Sequence, residues 1–171
     1  MTKTIKKSVV CANCGAGNKV DVLLSSNSYG YAGLDGRAAG MMRYTILYWL
    51  QECNYCGYVA ESLDDKLANS ESTLNGKELT RLVSVFSNNN LAIRFLKASL
   101  LFAAAGLKRT ASDCALWAAW AADDKGNNVE AIVYRRRAIK AFELTIKDLN
   151  PVAPQTLRLQ LILVDLSLIH I

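Results

Sequence analysis

The sequence predicts an α+β protein, with a small β module at the N-terminus followed by an antiparallel helical bundle. Three observations carry this prediction. Two copies of Cys-x-x-Cys-Gly, at residues 11–15 and 53–57, bracket short extended pieces and loops. From residue 76 onward, apolar and small residues recur at three- and four-residue steps, the period of helices that bury one face. The 171 residues are 51% apolar and 20% charged, which is typical of a folded globular protein.

The β module contains two predicted strands and a long loop. Val20, Val22 and Leu24 alternate with other residues, which predicts a strand. Residues 44–50 are rich in aromatic and β-branched side chains, so they predict a second strand that leads directly into the second cysteine pair. Ser, Gly, Ala and Asn dominate residues 25–42, which predicts a loop.

The first two helices of the bundle are predicted from their start and stop residues. Asn90 is placed to cap the first helix and Gly106 to end it. A capping box at Thr110–Asp113 opens the second helix, which ends at Gly126. The loop between the two is short, so we expect antiparallel packing.

A third helix opens at Asn127 with Glu130, and Pro151 lies just past its end. A further helical pattern covers residues 156–165. Small residues and a helix-ending glycine resemble the register of the tetratricopeptide repeat, and residues 123–128 form the turn between its helices. The matching positions are Ala119, Gly126, Ala131 and Ala138. An ordinary helical bundle with an alanine seam is the alternative.

Composition divides the chain into segments. Largely polar residues at 63–75 predict a linker between the β module, residues 1–62, and the helical domain, residues 76–165. The last six residues, 166–171, match the translation of an adapter used in DNA sequencing libraries. We therefore expect them to be foreign to the natural protein, and the helical domain to be truncated at residue 165. A genuine apolar C-terminus is the alternative.

These features restrict the chemistry and the compartment. The only histidine, His170, falls in the adapter-like ending, so no Ser-His-Asp or Cys-His pair is available for catalysis. No apolar run reaches the roughly 18 residues of a membrane span, and the N-terminus lacks the apolar stretch of a secretory signal. We expect a cytoplasmic protein with reduced thiols and no membrane partner.

The four paired cysteines are the predicted metal ligands: Cys11, Cys14, Cys53 and Cys56. Two residues between the thiols let one tight turn present both sulfurs to one ion, and the following glycine lets the backbone fold beneath them. Two such turns give four thiolates for a tetrahedral structural zinc ion (Zn²⁺) with no position open for water. Residues 1–62 are thus predicted to be a zinc-ribbon-like module.

Other chemistries of the cysteines fit the sequence to different degrees. A pair of disulfides fits poorly with a cytoplasmic chain, and a thioredoxin-like motif does not explain the second copy. An iron centre with four thiolates stays open. The fifth cysteine, Cys114, is expected to be a small core residue. Trp117 and Trp120 are expected to pack against neighbouring helices, and the basic run 135–137 to be a solvated face.

With the cysteine pairs placed, residues 11–63 resemble a family of uncharacterised bacterial proteins. In that family, two cysteine knuckles bracket a loop and a strand and are followed by tetratricopeptide-like helices. The resemblance implies a metal site and no known activity. It rests on Cys11, Cys14, the stretches 26–30 and 34–37, and the stretch from Tyr48 to Tyr58.

The sequence favours a non-enzymatic interaction protein, in which the loop 25–37 and an exposed helix face bind a protein or peptide. A nucleic-acid-binding zinc ribbon is the alternative, because the net charge is +5 and Lys3, Lys6 and Lys7 lie beside the first knuckle. Tyr29 and Tyr31 could then stack on bases. A third hypothesis is an enzyme that uses Asp35 and Arg37. The oligomeric state is left open.

Overall fold

The computed structural model describes residues 1–85 and 90–168 of the chain. Two antiparallel hairpins form the N-terminal part, and helices form the rest, which agrees with the predicted α+β class. The strands are β1 (Lys3–Val10), β2 (Gly17–Ser25), β3 (Gln51–Glu52) and β4 (Val59–Ala60), and a 3₁₀ helix covers Gly40–Tyr48. The α-helices are α1 (Ser70–Leu74), α2 (Lys77–Val85), α3 (Asn90–Ala104), α4 (Lys108–Asp124), α5 (Asn128–Ile146) and α6 (Pro154–Leu168).

Each hairpin carries one cysteine pair at its turn. β1 and β2 pair from Val10 with Gly17 out to Lys3 with Ser25, with one irregularity between Lys3 and Thr4. β3 and β4 pair through Gln51 with Ala60 and Glu52 with Val59. The strand predicted around Val22 is confirmed as part of β2. The sequence did not predict β1, because seven of its eight residues are exposed and it has no alternation of apolar and polar residues.

The strand predicted over residues 44–50 is wrong, because the chain forms a 3₁₀ helix from Gly40 to Tyr48. The buried residues Thr45 and Ile46 are adjacent in the chain, whereas a strand would alternate buried and exposed positions. Thr45 Oγ1 also donates to the carbonyl oxygen of Met42, 2.8 Å away, inside the turn. The aromatic and β-branched composition misled the prediction, and only the two residues of β3 extend into the second cysteine pair.

The ends of α3 and α4 share one hydrogen-bond pattern. Gly106, with φ of 80°, donates to Ala103 and the next residue, Leu107, to Phe102. Gly126, with φ of 71°, repeats the pattern, donating to Asp123 while Asn127 donates to Ala122. These are Schellman motifs, in which glycine takes the left-handed conformation that other residues avoid. Both predicted glycine stops are therefore confirmed.

Of the predicted helix starts, the structure confirms the one at Asn127 and contradicts the one at Thr110. The capping box at Thr110–Asp113 is wrong, because Leu107 serves both as the last residue of the Schellman motif and as the N-cap of α4. The cap at Asn127 is confirmed, since its side chain accepts a hydrogen bond from the backbone of Glu130. α3 covers Asn90–Ala104, and the cap predicted at Asn90 stays a prediction. The side chain of Asn90 lies outside what the structure describes.

Helices α3, α4 and α5 pack in sequence as antiparallel neighbours. Ser99 of α3 donates to the carbonyl oxygen of Ala111 near the start of α4. The start of α4 meets the end of α5, where the Ser112 and Thr145 hydroxyl oxygens are 2.9 Å apart. The predicted antiparallel order is thus confirmed for these helices. The tetratricopeptide register stays a prediction.

One hydrophobic cluster runs through both predicted modules. It joins Cys11, Cys53 and Tyr58 of the hairpin region to Phe95 of α3 and Tyr134 of α5. The segment 63–75, predicted as a linker, contains α1. It also buries Leu63, which is fully enclosed, and Ser70, which is 2% exposed.

A second cluster lies between α4, α5 and α6, and includes Leu166 of the adapter-like ending. α6 extends through Leu168, and residues 169–171 of that predicted ending, including His170, lie outside the described residues. Among the helices in residues 1–85 and 90–168, none has the length and apolar character needed to cross a membrane.

Candidate metal centre

The four predicted cysteine ligands converge on one point. Their sulfur atoms all lie within 4.8 Å of one another. The Sγ atoms of Cys11 and Cys56 are 3.8 Å apart, and those of Cys14 and Cys53 are 3.7 Å apart. Four sulfurs bound tetrahedrally about 2.3 Å from a zinc ion are about 3.8 Å from each other. The cluster therefore has the size of a four-thiolate metal site, and each close pair joins one knuckle to the other.

The two knuckles repeat the same backbone hydrogen bonds. In the first, the N–H of Gly15 donates to the carbonyl oxygen of Cys11 at 2.8 Å, and Cys11 N–H donates to Ala16. In the second, Gly57 N–H donates to Cys53 at 3.0 Å, and Cys53 donates to Tyr58. Gly15 and Gly57 have φ values of 76° and 71°. Glycine is required there because other residues rarely adopt such a conformation.

Two asparagines that the sequence did not single out tie the knuckles together. Asn18 is 5% exposed, and its side-chain Nδ2 donates both to Ala16 and to Cys53 Sγ, the latter at 3.5 Å. Its Oδ1 accepts from the backbone N–H of Asn54 at 3.0 Å. Asn18 thereby binds the first turn, the second turn and one ligand. Asparagine is uncommon in strands, so an asparagine at position 18, within β2, is the sequence feature that could have indicated its role beside the cysteines.

Asn13 makes the corresponding link on the other side of the cluster. Its Nδ2 lies 3.7 Å from Cys56 Sγ, and its Oδ1 accepts from the hydroxyl of Ser70 at 2.9 Å. Ser70 is the buried first residue of α1. The outer hydrogen bonds of a metal site orient its ligands, so α1 takes part in fixing the position of Cys56.

The environment of Cys53 favours its thiolate form. Burial acts most strongly and raises the pKa, but the backbone N–H groups of Cys56 and Tyr55 and the side chain of Asn18 lower it, so that the pKa is about 6. Burial raises the pKa of Cys11 and of Cys56. Hydrogen-bond donors around sulfur stabilise the anion that a metal ion binds.

The chemistry of this donor set is that of a closed site. Cys11 and Cys53 are 1% and 2% exposed, and both belong to the hydrophobic core. Four thiolates complete the tetrahedral shell that Zn²⁺ prefers, which leaves no coordination position for a water or a substrate. Iron binds four thiolates in the same arrangement. The structure thus shows four cysteines able to hold a metal ion.

A cluster of charges fastens the second knuckle to the helices. Glu52 precedes Cys53 in the chain, and its carboxylate accepts from Lys97 Nζ at 2.7 Å and from Arg94 Nε at 3.3 Å. Arg94 Nη1 also reaches the carbonyl oxygens of Leu47 and Leu50. These three side chains are between 17% and 29% exposed, so solvent screens them only in part. These charged contacts therefore join the second knuckle to α3.

Asp35 and Arg37, considered as an enzymatic pair, lie at the end of the loop that follows β2. The backbone N–H of Arg37 donates to Asp35 Oδ1 at 3.0 Å. The Arg37 side chain is 3% exposed and forms an ion pair with Asp124 at the end of α4. Its guanidinium thus holds the loop against α4.

The remaining predicted residues separate into exposed and buried groups. Tyr29 and Tyr31 of the loop are 90% and 99% exposed, and Lys3, Lys6 and Lys7 are exposed along β1. Cys114, Trp117 and Trp120 belong to the core or pack against it, as predicted. Burial raises the pKa of Cys114 well above its usual value. In the basic run, Arg135 pairs with Asp123, and Arg136 and Arg137 are exposed.

Comparisons with protein-family profiles, with curated proteins and with solved structures found no match to this chain. The function is therefore inferred from the geometry of the site and of the surfaces around it.

Proposed function

We propose that the protein is a non-enzymatic interaction protein, in which a structural zinc ion joins two hairpins to a helical domain that binds a partner protein. The convergence of four cysteine sulfurs within 4.8 Å supports the metal. Zinc is preferred over iron because Zn²⁺ is the usual metal of closed four-thiolate sites that stabilise a fold. The metal would hold together a module whose own strands are short or exposed.

The interaction role is supported by the outer face of α6. Leu157, Leu161 and Val164 are 50%, 68% and 58% exposed, and their spacing places them on one side of the helix. We call these three residues the α6 stripe. The opposite side is already used in the core, by Leu159 and Ile162. A helix that is apolar on both sides usually has both sides covered.

The stripe spans about 10 Å along the helix axis, which is two turns. The apolar side of a short amphipathic helix has matching dimensions, and helices commonly pack against each other through such apolar sides. We therefore assign an amphipathic helical segment of another protein as the partner of the α6 stripe. Leu168 continues the stripe, but it belongs to the adapter-like ending and is left out of its definition.

The metal is tested by elemental analysis of the purified protein. One zinc ion per chain is expected for the parent protein and for Cys114→Ala, which leaves all four ligands in place. Cys14→Ser and Cys56→Ser should lose the ion and unfold the hairpin region. One iron per chain, or a folded metal-free Cys56→Ser variant, would contradict the structural zinc site.

The interaction role is tested with a displayed library of amphipathic helical peptides. Selected peptides should bind the parent protein and lose at least tenfold in affinity to Leu161→Glu. The control is Val129→Glu, since Val129 is an exposed apolar residue (75%) at the start of α5. Equal binding to all three proteins would exclude the stripe. Self-association that only Leu161→Glu abolishes would make a second copy of this chain the partner.

A further inference from the structure

The outer edge of β1 carries a row of backbone groups available for pairing. Residues that face each other in an antiparallel pair alternate between exchanging hydrogen bonds and pointing away. Cys11 donates its backbone N–H to Ala16, so these two residues form a hydrogen-bonded pair. Hydrogen-bonded pairs recur at every second position, so Val9 with Asn18 and Lys7 with Val20 are hydrogen-bonded pairs as well. The backbone groups of the intervening residues therefore point outward.

Those outward-facing residues are Thr4, Lys6, Ser8 and Val10. Within residues 1–85 and 90–168, no backbone hydrogen bond from outside the hairpin reaches any of the four. Seven of the eight residues of β1 are exposed, Val9 being the exception. A two-stranded sheet without a third strand is only marginally stable in water. An added strand would pair these groups and cover this edge.

Charge along the edge indicates the chemistry of the added strand. Lys6 and Lys7 are adjacent in β1, so their side chains lie on opposite faces of the sheet. Lys3 lies at the start of the same strand. An extended segment that pairs with β1 also presents successive side chains to opposite faces, so two adjacent acidic residues would meet Lys6 and Lys7 together.

The chain itself places an acidic residue beside this edge. One residue beyond the end of β1 lies Cys11, and the next, Ala12, donates its N–H to the carbonyl oxygen of Leu63 at 2.7 Å. The residue after Leu63, Asp64, has its carboxylate 3.9 Å from Lys7 Nζ. The segment after β4 thus reaches the turn beyond β1 with one backbone hydrogen bond and one acidic side chain, and the edge from Thr4 to Val10 is left to another chain.

We propose that the free edge of β1 binds an extended acidic segment of a partner protein by strand addition. This surface is separate from the α6 stripe, and the proposal goes beyond the proposed function. A nucleic acid is disfavoured because the lysines are divided between two faces of the hairpin. Asp21 also lies opposite Lys6 in the β1–β2 register. A phosphate backbone needs cationic groups gathered along one surface.

The test uses the zinc-loaded protein of 171 residues and a fluorescein-labelled ten-residue peptide. The peptide alternates Thr and Val and has two adjacent Glu residues at its centre. A second peptide has Lys in place of both Glu residues. We expect the acidic peptide to bind at least tenfold more tightly than the basic one, as measured by fluorescence anisotropy.

Two variants address the backbone and the charge separately. Ser8→Pro removes one outward N–H without removing a bond to β2, a position that an edge strand tolerates. It should weaken binding of the acidic peptide at least tenfold. The double variant Lys6→Glu, Lys7→Glu should instead prefer the basic peptide. Zinc content and circular dichroism verify that each variant is folded.

The matched control for charge is Arg136→Glu, Arg137→Glu, which reverses two adjacent exposed cations on α5. It should bind the acidic peptide like the parent, and so should Leu161→Glu of the α6 stripe. Failure of the acidic peptide to bind, or equal binding to folded Ser8→Pro, would overturn the proposal. A labelled single-stranded DNA that binds more tightly than the peptide and ignores Ser8→Pro would overturn it as well.

Discussion

The guanidinium of Arg37 lies over the indole ring of Trp120, 5.5 Å from the ring centre. Trp120 is a buried residue of α4, and the same guanidinium pairs with Asp124 at the end of that helix. Trp49, which follows the 3₁₀ helix, packs edge-on against Trp117 of α4, with ring centres 4.8 Å apart. Arg37 therefore holds the loop against α4, and Trp49 packs the end of the 3₁₀ helix against the same helix.

Arg37→Ala should lower the free energy of unfolding by about 2 kcal/mol. Removing one partner of a fully buried ion pair costs about 3 to 5 kcal/mol. Asp124 is 39% exposed, so water compensates part of the loss. Urea unfolding measures the effect. Arg136→Ala, an exposed position on α5, should change stability by less than about 0.5 kcal/mol. An equally small change for Arg37→Ala would contradict an anchoring role.

The sequence could not reveal this role of Arg37. A short stretch, Asp35-Gly-Arg37, suggests a reactive pair as readily as a structural one. The partners Trp120 and Asp124 lie more than eighty positions away in the chain. Periodicity and capping rules describe neighbours within one element, whereas burial of a charge depends on how distant elements meet.

Gly15→Ala and Gly57→Ala should each destabilise the metal-loaded protein by roughly 1 to 2 kcal/mol. Both glycines have positive φ, where a Cβ atom is strained. A Cβ at Gly15 would meet nothing within 4 Å, so backbone strain alone accounts for the effect there. Thermal unfolding of the zinc-loaded protein measures it.

Gly17→Ala is the matched control for the knuckle glycines. A Cβ atom at Gly17 would also meet nothing within 4 Å, but the φ of Gly17 is not positive. Alanine there should be neutral or slightly stabilising, because glycine in a strand loses more conformational freedom on folding. If Gly15→Ala and Gly17→Ala behaved alike, the left-handed turn would not be what stabilises the knuckle.

Asn18→Ala should lower the affinity for zinc by about 10- to 100-fold, the range found when outer hydrogen bonds to metal ligands are removed. The variant loses the contact with Cys53 Sγ and the bond from Asn54, both of which join the two turns. Competition with a chromogenic chelator measures the affinity. Asn128→Ala, at an exposed position in α5, should leave it unchanged. Unchanged affinity for both variants would assign Asn18 to folding alone.

The four ligands and their supporting residues differ in how far the sequence predicts them. Cys11 and Cys53 follow from the repeated spacing, because one tight turn must present two sulfurs to one ion. Asn13 and Ser70 do not, since their hydrogen bonds form only once α1 has packed against the first knuckle. The helix ends at Gly106 and Gly126 were predictable because a glycine stop, like a cysteine turn, depends on only a few consecutive residues.

Asp113 of α4 provides a test of how burial affects a charged side chain. Its carboxylate accepts from Arg109 Nε at 2.9 Å on α4. Burial raises the pKa of Asp113 above the usual 3.8, and the nearby Arg109 only partly opposes it. The folded protein therefore prefers the neutral acid more than the unfolded chain does. The stability that neutral Asp113 contributes is full below pH 3.8 and is lost as the pH rises through the raised pKa.

Asp113→Asn keeps a neutral side chain at every pH, so its stability relative to the parent should increase as the pH rises from about 3 to 7. Urea unfolding at several pH values measures this difference, and the carboxyl carbon shift of Asp113 in the parent reports the titration directly. A difference that moves in favour of the parent with rising pH would show that Arg109 outweighs burial, and a constant difference would show that the two effects cancel. The sign of the slope thus decides which of the two effects controls Asp113.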